Sequence, residues 1–160
     1  MKPEFNDNYK GIRCRVYLVR ENVSEKDQLI PINNSQAVYE LIGQELVTSD
    51  RERILSVMLT SKHHLIGVET VSIGSIRGSA INPVDIFKSA ILANASAIII
   101  CHNHPSGDLT PSRCDEEFTR ELVRAGKILG IKLLDHLIIS HRGYRSLVDN
   151  ETVKWIKEER

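Results

Sequence analysis

The stretch Ala97-Ile98-Ile99-Ile100-Cys101 is apolar throughout and runs directly into His102-Asn103-His104. Five such residues suit one short buried strand. A helix start stands on either side of it. Upstream, Asn82-Pro83 offers a cap residue followed by proline at the first helical position, and downstream Thr110-Pro111 does the same. A buried strand between two helices obliges the chain to interleave the two kinds of element. The fold class that follows is α/β or α+β, with a mixed β-sheet flanked by helices.

The remaining segments fit that frame. Ile12, Cys14, Val16 and Leu18 alternate with Arg13, Arg15 and Tyr17, predicting a half-buried strand over 12–19. Ser35 is the expected cap of a helix carrying Val38, Leu41, Ile42 and Leu46 at helical spacing. Two strands, 53–59 and 65–73, are joined by Ser61-Lys62-His63-His64, and Gly74 and Gly78 mark a loop. Ile86, Phe87, Ala90 and Ile91 supply the buried face of the helix opened by Asn82-Pro83. Phe118, Leu122, Ala125 and Leu129 line the next helix, which Gly130 ends. A hairpin of 133–139 and 144–148 turns at Arg142-Gly143, and a terminal helix over 151–159 carries Trp155.

The 160 residues suffice for one domain, expected to span 1–160. Lys+Arg and Asp+Glu balance at 21 each, which gives no support for a general binder of nucleic acid or of acidic membranes. No apolar run reaches membrane-spanning length, and the first residues carry no apolar core of a signal peptide. Three cysteines, Cys14, Cys101 and Cys114, follow no disulfide-framework spacing. A cytoplasmic setting is therefore expected.

The chemistry is concentrated after the apolar strand. Side chains alternate along extended backbone, so His102 and His104 point to one side. Asp115 precedes Phe118 by three residues and Leu122 by seven, which puts it on the buried stripe of its helix. A carboxylate there needs a partner inside, and a metal supplies one. Two His nitrogens and one carboxylate leave a fourth tetrahedral position open, the ligand count of a catalytic zinc. Ser112 lies one turn earlier, where a hydroxyl can donate to a carbonyl oxygen that becomes anionic. Asn103 points away from its flanking histidines and braces the loop. Metal-assisted hydrolysis also needs a base that is not a ligand. Glu52, just before the strand 53–59, is the candidate, although spacing alone does not single it out from a surface carboxylate paired with Arg51 or Arg53.

Glu52, then His102-Asn103-His104, seven residues, Ser112, two residues and Asp115 resemble the JAMM signature of the JAB/MPN metalloprotease-like domains. The RadC-like branch is the nearer resemblance. It is carried by His102-Asn103-His104-Pro105-Ser106-Gly107-Asp108, by Thr110-Pro111-Ser112, by Asn82-Pro83 and by Leu133-Leu134-Asp135-His136-Leu137-Ile138-Ile139. The likeness runs from about residue 28 to 149. It implies a mixed-sheet α/β sandwich, with one zinc per chain on His102, His104 and Asp115. It further implies Glu52 as general acid/base, Ser112 at the oxyanion, and a peptide or protein substrate cleaved at a peptide or isopeptide bond. Longer RadC-like proteins carry an N-terminal helix-hairpin-helix domain, for which the residues before Ser35 are too few.

The same residues allow other readings. A non-catalytic, zinc-containing module of a DNA-maintenance or mobile-element system would draw on Arg13, Arg15 and Arg20 for phosphate contacts. A zinc nucleobase deaminase is excluded, since that chemistry wants H-x-E and P-C-x-x-C and neither is present. Cys101 should alternate away from His102 and pack as a small hydrophobe. His63, His64 and His141 read as solvated. His136, in an apolar strand, reads as a core histidine, with a supporting role behind the metal as the minor alternative.

Overall fold

A computed structural model describes residues 30–74 and 81–147 of the chain. The expected strand 12–19, the 75–80 part of the glycine loop and the terminal helix 151–159 lie outside them. Within them the order is α1 (Ser35–Val47), β1 (Arg53–Leu59), β2 (Leu65–Ile73), α2 (Pro83–Leu92), β3 (Ala97–Asn103), α3 (Arg113–Leu129), β4 (Lys132–Ser140) and β5 (Gly143–Ser146). The strands form one mixed sheet in the order β2-β1-β3-β4-β5. β1 is antiparallel to both β2 and β3, β3 is parallel to β4, and β5 returns antiparallel on β4. A parallel pair cannot be joined by a tight turn, and α3 is the crossover that joins β3 to β4.

Alternation along the central strands sorts the core into two layers. Ile54, Ile98, Ile100 and Ile138 pack with Ile86 and Phe87 of α2 and Phe118 and Leu122 of α3. Leu55, Val57, Ile99, Cys101, Leu137 and Ile139 pack with Val38, Ile42 and Leu46 of α1 on the opposite face. Every residue of β3 is buried, which is why this strand reads as a continuous apolar run rather than an alternating one.

Helix ends depart from expectation where polar residues compete for the cap. Asn34, not Ser35, caps α1 by accepting the Ala37 N–H at 2.8 Å. Ser35 is drawn inward instead, donating to the buried Asp135 at 2.9 Å. α3 begins after Ser112 rather than at Thr110-Pro111, because Ser112 and Asp115 close a reciprocal pair of cap bonds. On α2, Ser89 takes a buried position and Ile91 is 51% exposed. On α3, Leu129 is 46% exposed and Ala125 only half-buried, whereas Thr119, Val123 and Gly126 are buried. The stripe ends at Gly126, over which the Ile131 carbonyl and the Phe87 ring close. A Cβ there would collide with a backbone oxygen, so Gly126→Ala is expected to destabilise the fold by about 1–3 kcal/mol. A lowered urea midpoint at unchanged slope would show it; an unchanged midpoint would mean that α3 shifts freely.

Candidate metal centre

The site forms where β3 runs out towards the first turn of α3. His102 is fully buried on the α2–α3 side of the sheet, and His104, two residues on, is partly exposed on the same side. In the β1–β3 pairing Ile54 stands opposite His102. Two residues further in each direction, that register brings Glu52 level with His104 on the same face. Asn103 points the other way, as expected, and secures this arrangement. Its Oδ1 accepts the Arg53 N–H at 2.7 Å, and its Nδ2 donates to the Arg51 carbonyl at 3.0 Å. Both residues that flank Glu52 are thereby tied to the end of β3.

Asp115 comes from the first turn of α3 and is 2% exposed. Its Oδ2 accepts the Ser112 N–H at 2.7 Å, and its own N–H donates to Ser112 Oγ at 3.2 Å. The carboxylate lies 3.4 Å from His102 Nε2 and 3.6 Å from His104 Nε2, and those two nitrogens are 2.9 Å apart. His104 Nδ1 is 2.6 Å from the Asp108 carbonyl, which can only accept. The Nδ1 hydrogen is thus committed, and Nε2 is the atom offered to the site. Two ring nitrogens and a carboxylate close on one point. His102, His104 and Asp115 could hold a metal ion, each giving one ligand atom within 4.8 Å of the others. The donor set, two imidazoles and a carboxylate, suits zinc among several divalent metals.

Electrostatics prepare the three groups differently. Burial, reinforced by nearby His136, holds His102 well below the ordinary imidazole value against the pull of Asp115. The Asp115 hydrogen bond raises His104, outweighing partial burial, with help from the Asp108 carbonyl and the charges of Asp115 and Glu52. Burial would raise Asp115, but His104, His102 and Ser112 overcome it and hold the carboxyl well below the usual range. Burial lowers His136 to about 4. Of the three imidazoles, then, only His104 has its protonated form favoured by its surroundings.

A pH optimum for metal-free stability follows. Below about pH 6.5 the unfolded chain protonates the equivalents of His102 and His136 while the fold resists, so stability falls as the solution is acidified. His136 alone contributes a loss of about 3 kcal/mol between pH 6.5 and 4. Above pH 6.5 the fold retains the His104 proton that the unfolded chain has lost, and this stabilisation disappears as pH rises through the raised value. Urea midpoints of chelator-treated protein should therefore peak near pH 6.5. A plateau reaching pH 5 would contradict the buried neutral imidazoles.

A cleft of about 690 Å³ opens over the site, lined by Glu52, His104, Ser112, Cys114 and Asp115 together with the turn after His104. Gly107 shapes that turn at φ +86°, with the His141 ring lying against it. All five residues expected from the sequence meet here: Glu52 and Ser112 on the rim, His104 and Asp115 at the floor, His102 beneath. The Ser112–Asp115 N–H bond uses an oxygen lone pair and leaves the hydroxyl hydrogen for another acceptor. Arg53 bonds Glu45 at 2.6 Å and Thr70 at 2.9 Å. Cys101 packs on the α1 side as a thiol whose pKa burial, with Asp135, pushes up.

Two further residues lie behind these five. His136 is a fully buried core histidine, as expected, and its polar partner on one side is His102, whose Nδ1 lies 2.8 Å from His136 Nε2. Thr119, four residues after Asp115, reaches both the Asp115 carbonyl and His136 Nδ1. Its spacing from Asp115 on one helix face was the available signal. Arg13, Arg15 and Arg20 lie outside the described residues.

The RadC-like JAB domain family matches over residues 32–152. A UPF0758 protein of Desulfitobacterium hafniense is 42% identical over 137 residues, covering 85% of this chain and 60% of the relative. One from Thermotoga maritima is 43% identical over 132 residues, 82% of this chain and 57% of the relative. A third, from Moorella thermoacetica, is 47% identical over 116 residues, 72% and 51% of the respective lengths. The chain thus spans between half and three-fifths of these relatives. With a match over most of its length, on a mixed sheet flanked by three helices, the chain belongs to the RadC-like JAB domain family.

Proposed function

We propose that this chain is a zinc-dependent hydrolase of the JAMM type, cleaving a peptide or isopeptide bond in a protein or peptide substrate. One observation carries the reading. Two imidazole nitrogens and a carboxylate converge beneath an open cleft whose rim holds a carboxylate that is not one of the three, Glu52. His102, His104 and Asp115 hold the ion. Bound there, zinc would polarise a carbonyl and lower the pKa of a coordinated water to about 7. Glu52 takes a proton from the attacking water and passes it to the leaving amine nitrogen. The Ser112 hydroxyl donates to the carbonyl oxygen as it becomes anionic. The reading includes a cytoplasmic setting, in keeping with Cys101 and Cys114 as free thiols. Among the described residues no helix is long and apolar enough to cross a membrane.

Elemental analysis of the purified protein tests it. About one zinc per chain is expected, removable by chelator and restored by added zinc. Hydrolysis of quenched peptide and isopeptide-linked substrates should follow the metal. An absence of bound metal even after zinc addition would overturn the proposal.

A further inference from the structure

Behind the ligand His102 a chain of hydrogen bonds runs through the core and ends on the backbone of α3. His102 Nδ1 lies 2.8 Å from His136 Nε2, His136 Nδ1 lies 2.7 Å from Thr119 Oγ1, and Thr119 Oγ1 lies 2.5 Å from the Asp115 carbonyl oxygen. His102, His136 and Thr119 are each fully buried, so water does not compete for these contacts.

The direction of every hydrogen in this chain follows from its last member. A carbonyl oxygen only accepts, so the single Thr119 hydroxyl hydrogen must go to Asp115. Were it turned to His136 instead, two oxygens would face each other at 2.5 Å with no hydrogen between them. Thr119 Oγ1 must then accept, which places a hydrogen on His136 Nδ1. A neutral His136 consequently has a bare Nε2, which accepts from His102 Nδ1. His102 is left with a bare Nε2, the atom 3.4 Å from the Asp115 carboxylate.

We propose that His136 and Thr119 are positioning residues that lock the tautomer and ring orientation of His102, so that its Nε2 lone pair is presented to the metal site. The function of the lock rests on the metal reading above, but the tautomers themselves do not require a metal. The device couples three elements. α3 supplies the ligand Asp115 from its first turn and the anchor Thr119 one turn later. β4 supplies His136, and β3 the ligand that is held. His104 is held separately, by the Asp108 carbonyl.

Long-range 1H–15N correlation of the histidine rings in the full chain, without metal, reads the tautomers directly. Both His102 and His136 should appear as Nδ1–H forms, and Thr119→Val should abolish the single form of His136. Wild-type His102 as the Nε2–H form would overturn the lock. Zinc affinity by chelator competition supplies the second readout. His136→Leu should weaken binding by about 10–100-fold. His136→Gln should recover much of that loss, because its amide offers an acceptor towards His102 and a donor towards Thr119. A role in packing alone predicts the reverse order, since Leu fills an apolar interior better than Gln, and that order would also overturn the proposal. If wild type bound no zinc, the metal reading would fail while the ring correlations still decided the lock.

Discussion

His102→Ala is expected to purify without zinc and to bind added zinc more than 100-fold more weakly than wild type. Residues that merely support a ligand are typically worth about 10–100-fold in metal affinity, and His102 is itself one of the three proposed donors. The loss extends beyond one nitrogen. Removing the ring leaves His136 Nε2 without its donor and opens a cavity at a fully buried position. Part of any effect could therefore arise from weakened packing, and Asp115→Asn separates the two. Its amide oxygen can still accept the Ser112 N–H that closes the α3 cap, so the helix start is retained while the anionic ligand is lost. Both variants should lose zinc, and Asp115→Asn should keep a near-normal far-UV spectrum. Chelator competition with a chromophoric zinc indicator measures it. Zinc held within about tenfold of wild type by either variant would exclude that residue as a ligand.

Why the candidate ligands were legible in the sequence while their supports were not is a matter of range. The shared side of His102 and His104 follows from the two-residue period of extended backbone. The inward aim of Asp115 follows from its phase with Phe118 and Leu122 on one helix. Both are local patterns, complete within about 20 residues of one another. Glu52 is different. Its approach to His104 depends on the antiparallel register of β1 on β3, fifty residues apart, and on Asn103 gripping the residues on either side of it. No periodicity in the sequence encodes that register. The link from His136 to His102 likewise exists only because β4 lies parallel beside β3, placing His136 opposite Ile100 and one step from the ligand. The errors at helix ends share another cause. Asn34 beside Ser35, and Thr110 near Ser112, each offer two eligible caps, and tertiary partners choose between them: buried Asp135 claims Ser35, and Asp115 claims Ser112.

Glu52→Gln is expected to reduce hydrolysis by about 10²–10⁴-fold while leaving zinc content at about one per chain. The substitution is nearly isosteric and removes the negative charge together with the ability to take up a proton. Glu52 is half-buried on the cleft rim, and its charge reaches His104. It is not one of the three groups that could hold a metal ion, so the amide should not release metal. The backbone of Glu52 is secured independently of its side chain, by the Gly74 N–H donating to its carbonyl at 2.7 Å and by the Asn103 bonds on either side. The variant should therefore fold like wild type. A surface carboxylate would behave otherwise: an exposed ion pair contributes at most about 1 kcal/mol of stability, and its loss would leave turnover nearly unchanged. Metal content and turnover measured on the same preparation separate the cases. Lost turnover with retained zinc is the signature of a proton carrier. Normal turnover would remove Glu52 from the mechanism, and the base would then have to be sought elsewhere on the cleft.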